Sequence, residues 1–202
     1  ESGRRVTLYK GVREWFARIN AYGAARGIRI LHYINSSGLK EIIEGTEIAH
    51  EFRRIYACSF LYDIDGVAYW PAVAVNYTNK TQFIFKINKG VESVFDSKLV
   101  NQYIEEDKRP VPFRRMIYVG DGTTDIPCMR LVKNSGGHSI AVYNPEIRNA
   151  RRELNGLIRD NRVSHVCPAD YSEGSEMDTL VKTIIDKIEA DHRLELLETP
   201  RT

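Results

Sequence analysis

Cysteine is scarce in this chain. There are three in 202 residues (Cys58, Cys128 and Cys167), an odd number, far apart, with no C-x-x-C. That argues against a disulfide framework and against a zinc site, and a reducing cytoplasm is the expected compartment. The five histidines are scattered, with no pair at metal-ligand spacing. No apolar run approaches the roughly 20 residues that a bilayer requires, so no membrane partner is expected. An excess of one charge is lacking too. The 29 basic and 27 acidic residues give a net charge of +2, which makes no demand for nucleic acid. Basic pairs such as Arg53-Arg54, Arg114-Arg115 and Arg151-Arg152 are dispersed and read as solvated surface. There is no internal repeat and no low-complexity tract. The start, Glu1-Ser2-Gly3, has no initiator methionine, and its polar run to Lys10 is no signal peptide. A fragment or a processed chain is therefore expected. What is present, 43% hydrophobic and 28% charged residues, is ordinary for a soluble globular protein, read here as one domain over 1–202.

Val12, Trp15, Phe16 and Ile19 fall at helical spacing, which predicts a helix over 10–26 ended by Gly27. The apolar run 28–34 predicts a buried strand, and 39–47 a helix. Two extended stretches, 55–61 and 67–75, flank Asp63-Ile64-Asp65-Gly66, and Asp-Gly there is a hairpin signal. Pro71 places the second arm at a sheet edge. A helix is expected over 80–89, then helix and loop over 96–115. Strands at 116–119, 139–142 and 163–167 alternate with helices at 126–133, 147–158 and 177–197. This alternation implies an α/β fold with a mainly parallel sheet and helices on its faces, and a small β-hairpin insertion around 55–75. Ligands of such sheets sit beyond the carboxyl ends of the strands.

Three segments carry candidate chemistry. In Met116-Ile-Tyr-Val-Gly-Asp-Gly-Thr-Thr-Asp125 an apolar strand delivers Asp121 between two glycines, and Asp125 follows at the start of a helix. Two carboxylates held together repel unless a cation or proton joins them, and a hard dication such as magnesium suits oxygen ligands. The plainer alternative is Asp125 as a helix cap. In Ile30-Leu-His-Tyr-Ile-Asn-Ser-Ser-Gly-Leu39 a strand runs into Ser36, Ser37 and Gly38. A hydroxyl beside the free amides of a helix start makes an anion site, although either serine could simply cap that helix. In Tyr77-Thr-Asn-Lys80-Thr-Gln82 a lysine occupies the first helical turn, where the helix dipole disfavours it. A bound phosphate or a carboxylate would account for it.

Taken in order, strand-Ser, helix-start Lys and Gly-Asp-Gly-x-x-Asp resemble the haloacid dehalogenase superfamily. Ser36 matches its second motif, Lys80 its third, and Asp121 with Asp125 its fourth. The stretches SSGLKEIIEGT, NYTNKTQFIFKINKG and YVGDGTTDIPCM resemble a branch related to phosphoserine phosphatases. The resemblance implies a three-layer Rossmann-like core and a magnesium-dependent phosphomonoester hydrolase acting through an aspartyl-phosphate. Ser36, Ser37, Gly38 and Lys80 would hold phosphate, Asp121 and Asp125 would serve the metal, and Lys80 and Asp125 would be catalytic. The substrate would be a small phosphorylated metabolite.

The family's first motif, D-x-D-x-[TV], should precede the serine, and none lies between Glu1 and Asn35. The nucleophile and its central strand are expected in an upstream segment of the same protein, together with any cap. The chain alone would then be inactive. Phe60-Leu-Tyr-Asp63-Ile-Asp65-Gly-Val67 imitates the motif, but it follows Ser36 and sits between two extended arms, so it reads as a turn. The alternatives are a non-catalytic phosphate- or magnesium-binding domain and a circularly permuted phosphatase using Asp63 and Asp65. A dehalogenase would leave Asp121 without a purpose.

Overall fold

A computed structural model describes residues 2–198. Glu1, with its unusual start, and residues 199–202, the end of the expected single domain, lie outside them. The chain is a mixed α/β protein with two three-stranded sheets. The first has the order β1-β2-β3, formed by His32–Leu39, Phe52–Tyr62 and Ala68–Val73. β1 and β2 run parallel, and β2 turns back antiparallel into β3. The second sheet is all parallel, in the order β4-β5-β6, formed by Ile117–Gly120, His138–Tyr143 and His165–Pro168.

The helices are α1 (Val12–Ala24), α2 (Lys40–Glu44), α3 (Lys80–Asn88), α4 (Ser97–Asn101), α5 (Ile126–Asn134), α6 (Ala150–Arg159) and α7 (Glu176–Glu198). Strand alternation decides which of them each side chain meets. Ile140 and Val142 of β5 join Trp15, Phe16 and Ile19 of α1 and Met177, Val181 and Ile184 of α7. Ala141, between them, joins Met129 of α5 and Leu154 and Leu157 of α6. The first sheet is served by the same layers. Phe52 packs with α1 and α7, while Tyr33 and Tyr56 pack with Phe83 and Ile84 of α3 and Cys128 and Val132 of α5. Helices therefore cover both faces of the second sheet and of the inner part of the first, while most of β3 and the outer end of β2 are exposed.

β1 pairs only with β2 and β4 only with β5 among the described residues, so each has an open edge. No residue of β1 is fully buried, and Val119 of β4 is exposed, although both strands lie between helical layers. By contrast, the four middle residues of β5 are all buried.

The hairpin is present where Asp-Gly marks it. Asp63 Oδ1 accepts from the amides of Asp65 and Val67, and Gly66 takes a left-handed φ of 77°. Pro71 does lie on an edge strand. One boundary differs in a way that matters. The strand expected at 28–34 runs over His32–Leu39, because β2 continues beside it far enough to place Cys58 opposite Leu39. Ser36, Ser37 and Gly38 are therefore strand residues at a register irregularity. They do not open a helix, and the five-residue α2 starts after them. No helix is long and apolar enough to cross a membrane among the described residues.

Candidate functional site

The parallel strands deliver the candidate residues to their carboxyl ends. β4 ends at Gly120, Asp121 follows, and the chain turns into α5 through Thr123–Asp125. Asp125 folds back beneath the strand end. A Cβ on Gly120 would lie 2.6 Å from Asp125 Cβ and 2.7 Å from Met129 Cε, so only glycine leaves room for that return. Gly122 is under no such pressure, since its φ of −126° suits any residue and a Cβ there would meet only ordinary contacts, the nearest at 3.7 Å.

Asp125 meets Lys80, the first residue of α3. Lys80 Nζ donates to Asp125 Oδ1 at 2.5 Å, and the two side chains are only 4% and 10% exposed. The lysine at an unfavourable helix position thus has a carboxylate partner. The Tyr118 hydroxyl also donates to Oδ1, at 2.7 Å, and the Gly122 amide reaches Oδ2 at 3.3 Å. Burial, the Asp125 charge and the neighbouring Cys128 push the Tyr118 phenol far above its ordinary range. Burial likewise pushes the Cys128 thiol up, against bonding from Tyr118 and the charge of Lys80. Both the Tyr118 phenol and the Cys128 thiol are therefore neutral at physiological pH.

Asn35 connects β1 to this cluster. Its amide nitrogen donates to the Lys80 carbonyl at 3.1 Å and lies 3.8 Å from Cys128 Sγ. Its Oδ1 is buried with no donor among the described residues. Ser36 is next along the strand and accepts from the Gly38 amide at 3.0 Å. The Ser37 carbonyl accepts from Cys58 Sγ, and Gly38 is exposed. Lys80 and Asp125 are thus in direct contact, and Ser36 and Asp121 are chain neighbours of residues that touch the pair.

Asp121 is exposed, and nothing among the described residues bonds its carboxylate. Beside it is Tyr171, whose buried phenol is raised by burial, by Cys167 and by the Asp121 charge. Tyr171 is held by the chain ahead of α1. Its amide donates to the Lys10 carbonyl at 2.8 Å, Lys10 pairs with Asp170 at 3.2 Å, and Gly11 is pressed against the backbone of Tyr171 and Ser172.

As a magnesium site the donor set is incomplete. No group of three His, Cys, Asp or Glu side chains that could hold a metal gathers among the described residues. Asp125 spends its oxygens on Lys80, Tyr118 and Gly122, so Asp121 is the one carboxylate of the expected pair left free for a cation. Tyr118, Asn35 and Tyr171 escape a reading of the sequence alone. The available signal was slight: a phenol two residues ahead of Gly120 in an apolar strand, and an asparagine ahead of Ser36.

No family model matches the chain. It is similar to an uncharacterized protein of Borreliella burgdorferi, with 28% identity over 210 aligned positions that take in 92% of this chain and 68% of that protein.

Proposed function

We propose that this chain is the phosphate-handling part of a magnesium-dependent phosphomonoester hydrolase with the three-layer core of the haloacid dehalogenase type. The observation that carries the reading is the buried Lys80–Asp125 pair beside the open edges of β1 and β4. A buried ammonium has to be justified electrostatically. Asp125 meets one of its three N–H donors, and no other acceptor is bonded to it among the described residues. The remaining donors suit a phosphoryl oxygen or a second carboxylate.

In this reading Lys80 holds the anionic group, and Asp125 fixes the Lys80 ammonium, itself steadied by Tyr118 and Gly122. Ser36 offers its hydroxyl to a phosphoryl oxygen. Asp121 is the chain's own ligand for magnesium, which when bound would offset charge on the transferring phosphoryl group. The nucleophile is a carboxylate on a further strand, parallel to β1 and β4 and seated between them, from a segment outside these 202 residues. That carboxylate displaces the alcohol from phosphorus, and water then cleaves the aspartyl-phosphate. The orphan Oδ1 of Asn35 and the exposed Val119 support such a strand. The Borreliella burgdorferi relative has about a third of its length outside the match, room enough for such a segment.

A second reading, an anion-binding module without turnover, is favoured for the chain in isolation, because Asp125 is the one carboxylate in contact with Lys80 among the described residues. The permuted enzyme has less support, since Asp63 spends a carboxylate oxygen on its own turn. The test is hydrolysis of p-nitrophenyl phosphate with magnesium and with chelator, by this chain alone and by the chain extended through its upstream reading frame. Magnesium-dependent turnover by the extended form, abolished by Asp121→Asn, is the expected result. Turnover by the 202 residues alone that depends on Asp63 would overturn it.

A further inference from the structure

We propose that the groove along the outer side of α5 binds a small organic anion: an apolar body carrying one oxyanion, such as a carboxylate, a sulfonate or a phosphate. The inference is independent of the phosphatase reading, since none of Ser36, Lys80, Asp121 or Asp125 lines the groove. Its volume is about 520 Å³, within the roughly 300–1,000 Å³ of small-molecule sites. Five of its residues, Ile126, Pro127, Arg130, Leu131 and Asn134, form one stripe of α5. That stripe lies opposite the buried Cys128, Met129 and Val132. The sixth residue, Arg162, comes from the turn between α6 and β6.

Charge decides the kind of ligand. Two guanidiniums line one groove, and no acid lines it. Neither guanidinium has a hydrogen bond or an ion pair among the described residues. The acids nearest in sequence are engaged elsewhere, Asp125 with Lys80 and Asp160 with Arg159 at 3.6 Å. Like charges on one groove repel, and an oxyanion between them relieves the repulsion and fits the planar guanidinium fork. The helix dipole does not account for Arg130, because Lys133 is the base of the last turn of α5 and Arg130 stands before it. The turn that carries Arg162 is fixed. Asn161 is left-handed with a φ of 57°, and the amides of Asn161 and Arg162 return to the carbonyls of Ile158 and Leu157 at 2.9 and 2.7 Å. Lys133 Nζ donates to Asn161 Oδ1 at 2.6 Å and to the Val163 carbonyl at 2.9 Å, on either side of Arg162. α5 thus holds the turn that completes its own groove, and little backbone has to be ordered when a ligand binds. Ile126, Pro127 and Leu131 offer apolar contact to the ligand's body.

Titration of the isotope-labelled 202-residue chain with naphthalenesulfonate, followed by the NMR shifts of its amides, tests this. Saturable shifts at Arg130, Leu131, Asn134 and Arg162 are expected at roughly millimolar probe or below. Arg130→Gln and Arg162→Gln, both at exposed positions, should each weaken binding at least about tenfold. Uncharged naphthalenemethanol should leave the groove unshifted. Arg29→Gln, at an exposed arginine between α1 and β1, should leave the affinity unchanged. A groove that does not respond to the sulfonate overturns the proposal. So does binding that persists in both groove variants, that the uncharged probe reproduces, or that Arg29→Gln weakens equally.

Discussion

Lys80 and Asp125 are each other's compensation. Remove one, and the other is left charged inside the protein. Lys80→Met is therefore expected to lower unfolding free energy by about 3–5 kcal/mol, and Lys80→Met with Asp125→Leu to recover most of that loss. Urea denaturation of the two variants measures it. If the single substitution costs nothing, the ammonium is not buried as described. Gly120 is the complementary case. Gly120→Ala drives a methyl into Asp125 and Met129, an overpacking worth about 1–3 kcal/mol. The same melts would show it, and a neutral outcome would mean that Asp125 does not return beneath β4. The meeting of Lys80 and Asp125 was legible at this scale because the patterns that mark them are local. Gly-Asp-Gly-x-x-Asp forces a strand, a turn and a helix, and a lysine on a helix's first turn asks for an anion. Tyr118 and Asn35 were not legible, because their roles arise from contacts across 7 and 45 positions, with nothing in the neighbouring residues to announce them.

Among the elements, α1 and α7 are joined by a buried charge cluster. Arg18 of α1 donates to Asp178 at 3.0 Å, Lys182 donates at 2.8 Å and the Gly174 amide at 2.9 Å. Burial by itself would raise the Asp178 carboxyl, but the bonds from Lys182, Gly174 and Arg18 outweigh it and hold the group below its ordinary 3.8. A carboxyl depressed in the folded state stabilises the fold above its unfolded value, and that contribution fades as pH falls through the lower folded value. Stability should therefore decline below about pH 3.8. Asp178→Asn should be less stable at neutral pH, by about 3 kcal/mol or more, with a flatter profile on the acid side. Chemical melts from pH 7 downwards test this. Parallel acid profiles for the two proteins would remove Asp178 from the account. The helices and the hairpin were readable from periodicity and turn residues. The end of β1 was not. Asn-Ser-Ser-Gly has the composition of a strand end, yet β2 remains alongside and keeps those residues extended, a tertiary effect that overrides local preference.

Across the whole molecule the two sheets share their helical layers but not a hydrogen bond between β1 and β4. Alternation of strands and helices made the α/β class legible. The division into two sheets had no local signal, because an unpaired edge is a property of what is absent beside a strand. An added parallel strand would pair both edges, cover Val119 and bring a carboxylate toward Lys80. Backbone amides of β1 and β4 should then exchange with deuterium more slowly in the extended chain than in the 202-residue one, while those of β5 change little. Equal exchange in the two forms would mean that no strand enters there.

The most direct measurement is calorimetric titration of the extended chain with inorganic phosphate in the presence and absence of magnesium. One phosphate per chain is expected, with binding that requires magnesium and is lost in Lys80→Met and in Asp121→Asn. Phosphate that does not bind, or that binds equally well without magnesium and to both variants, would contradict it.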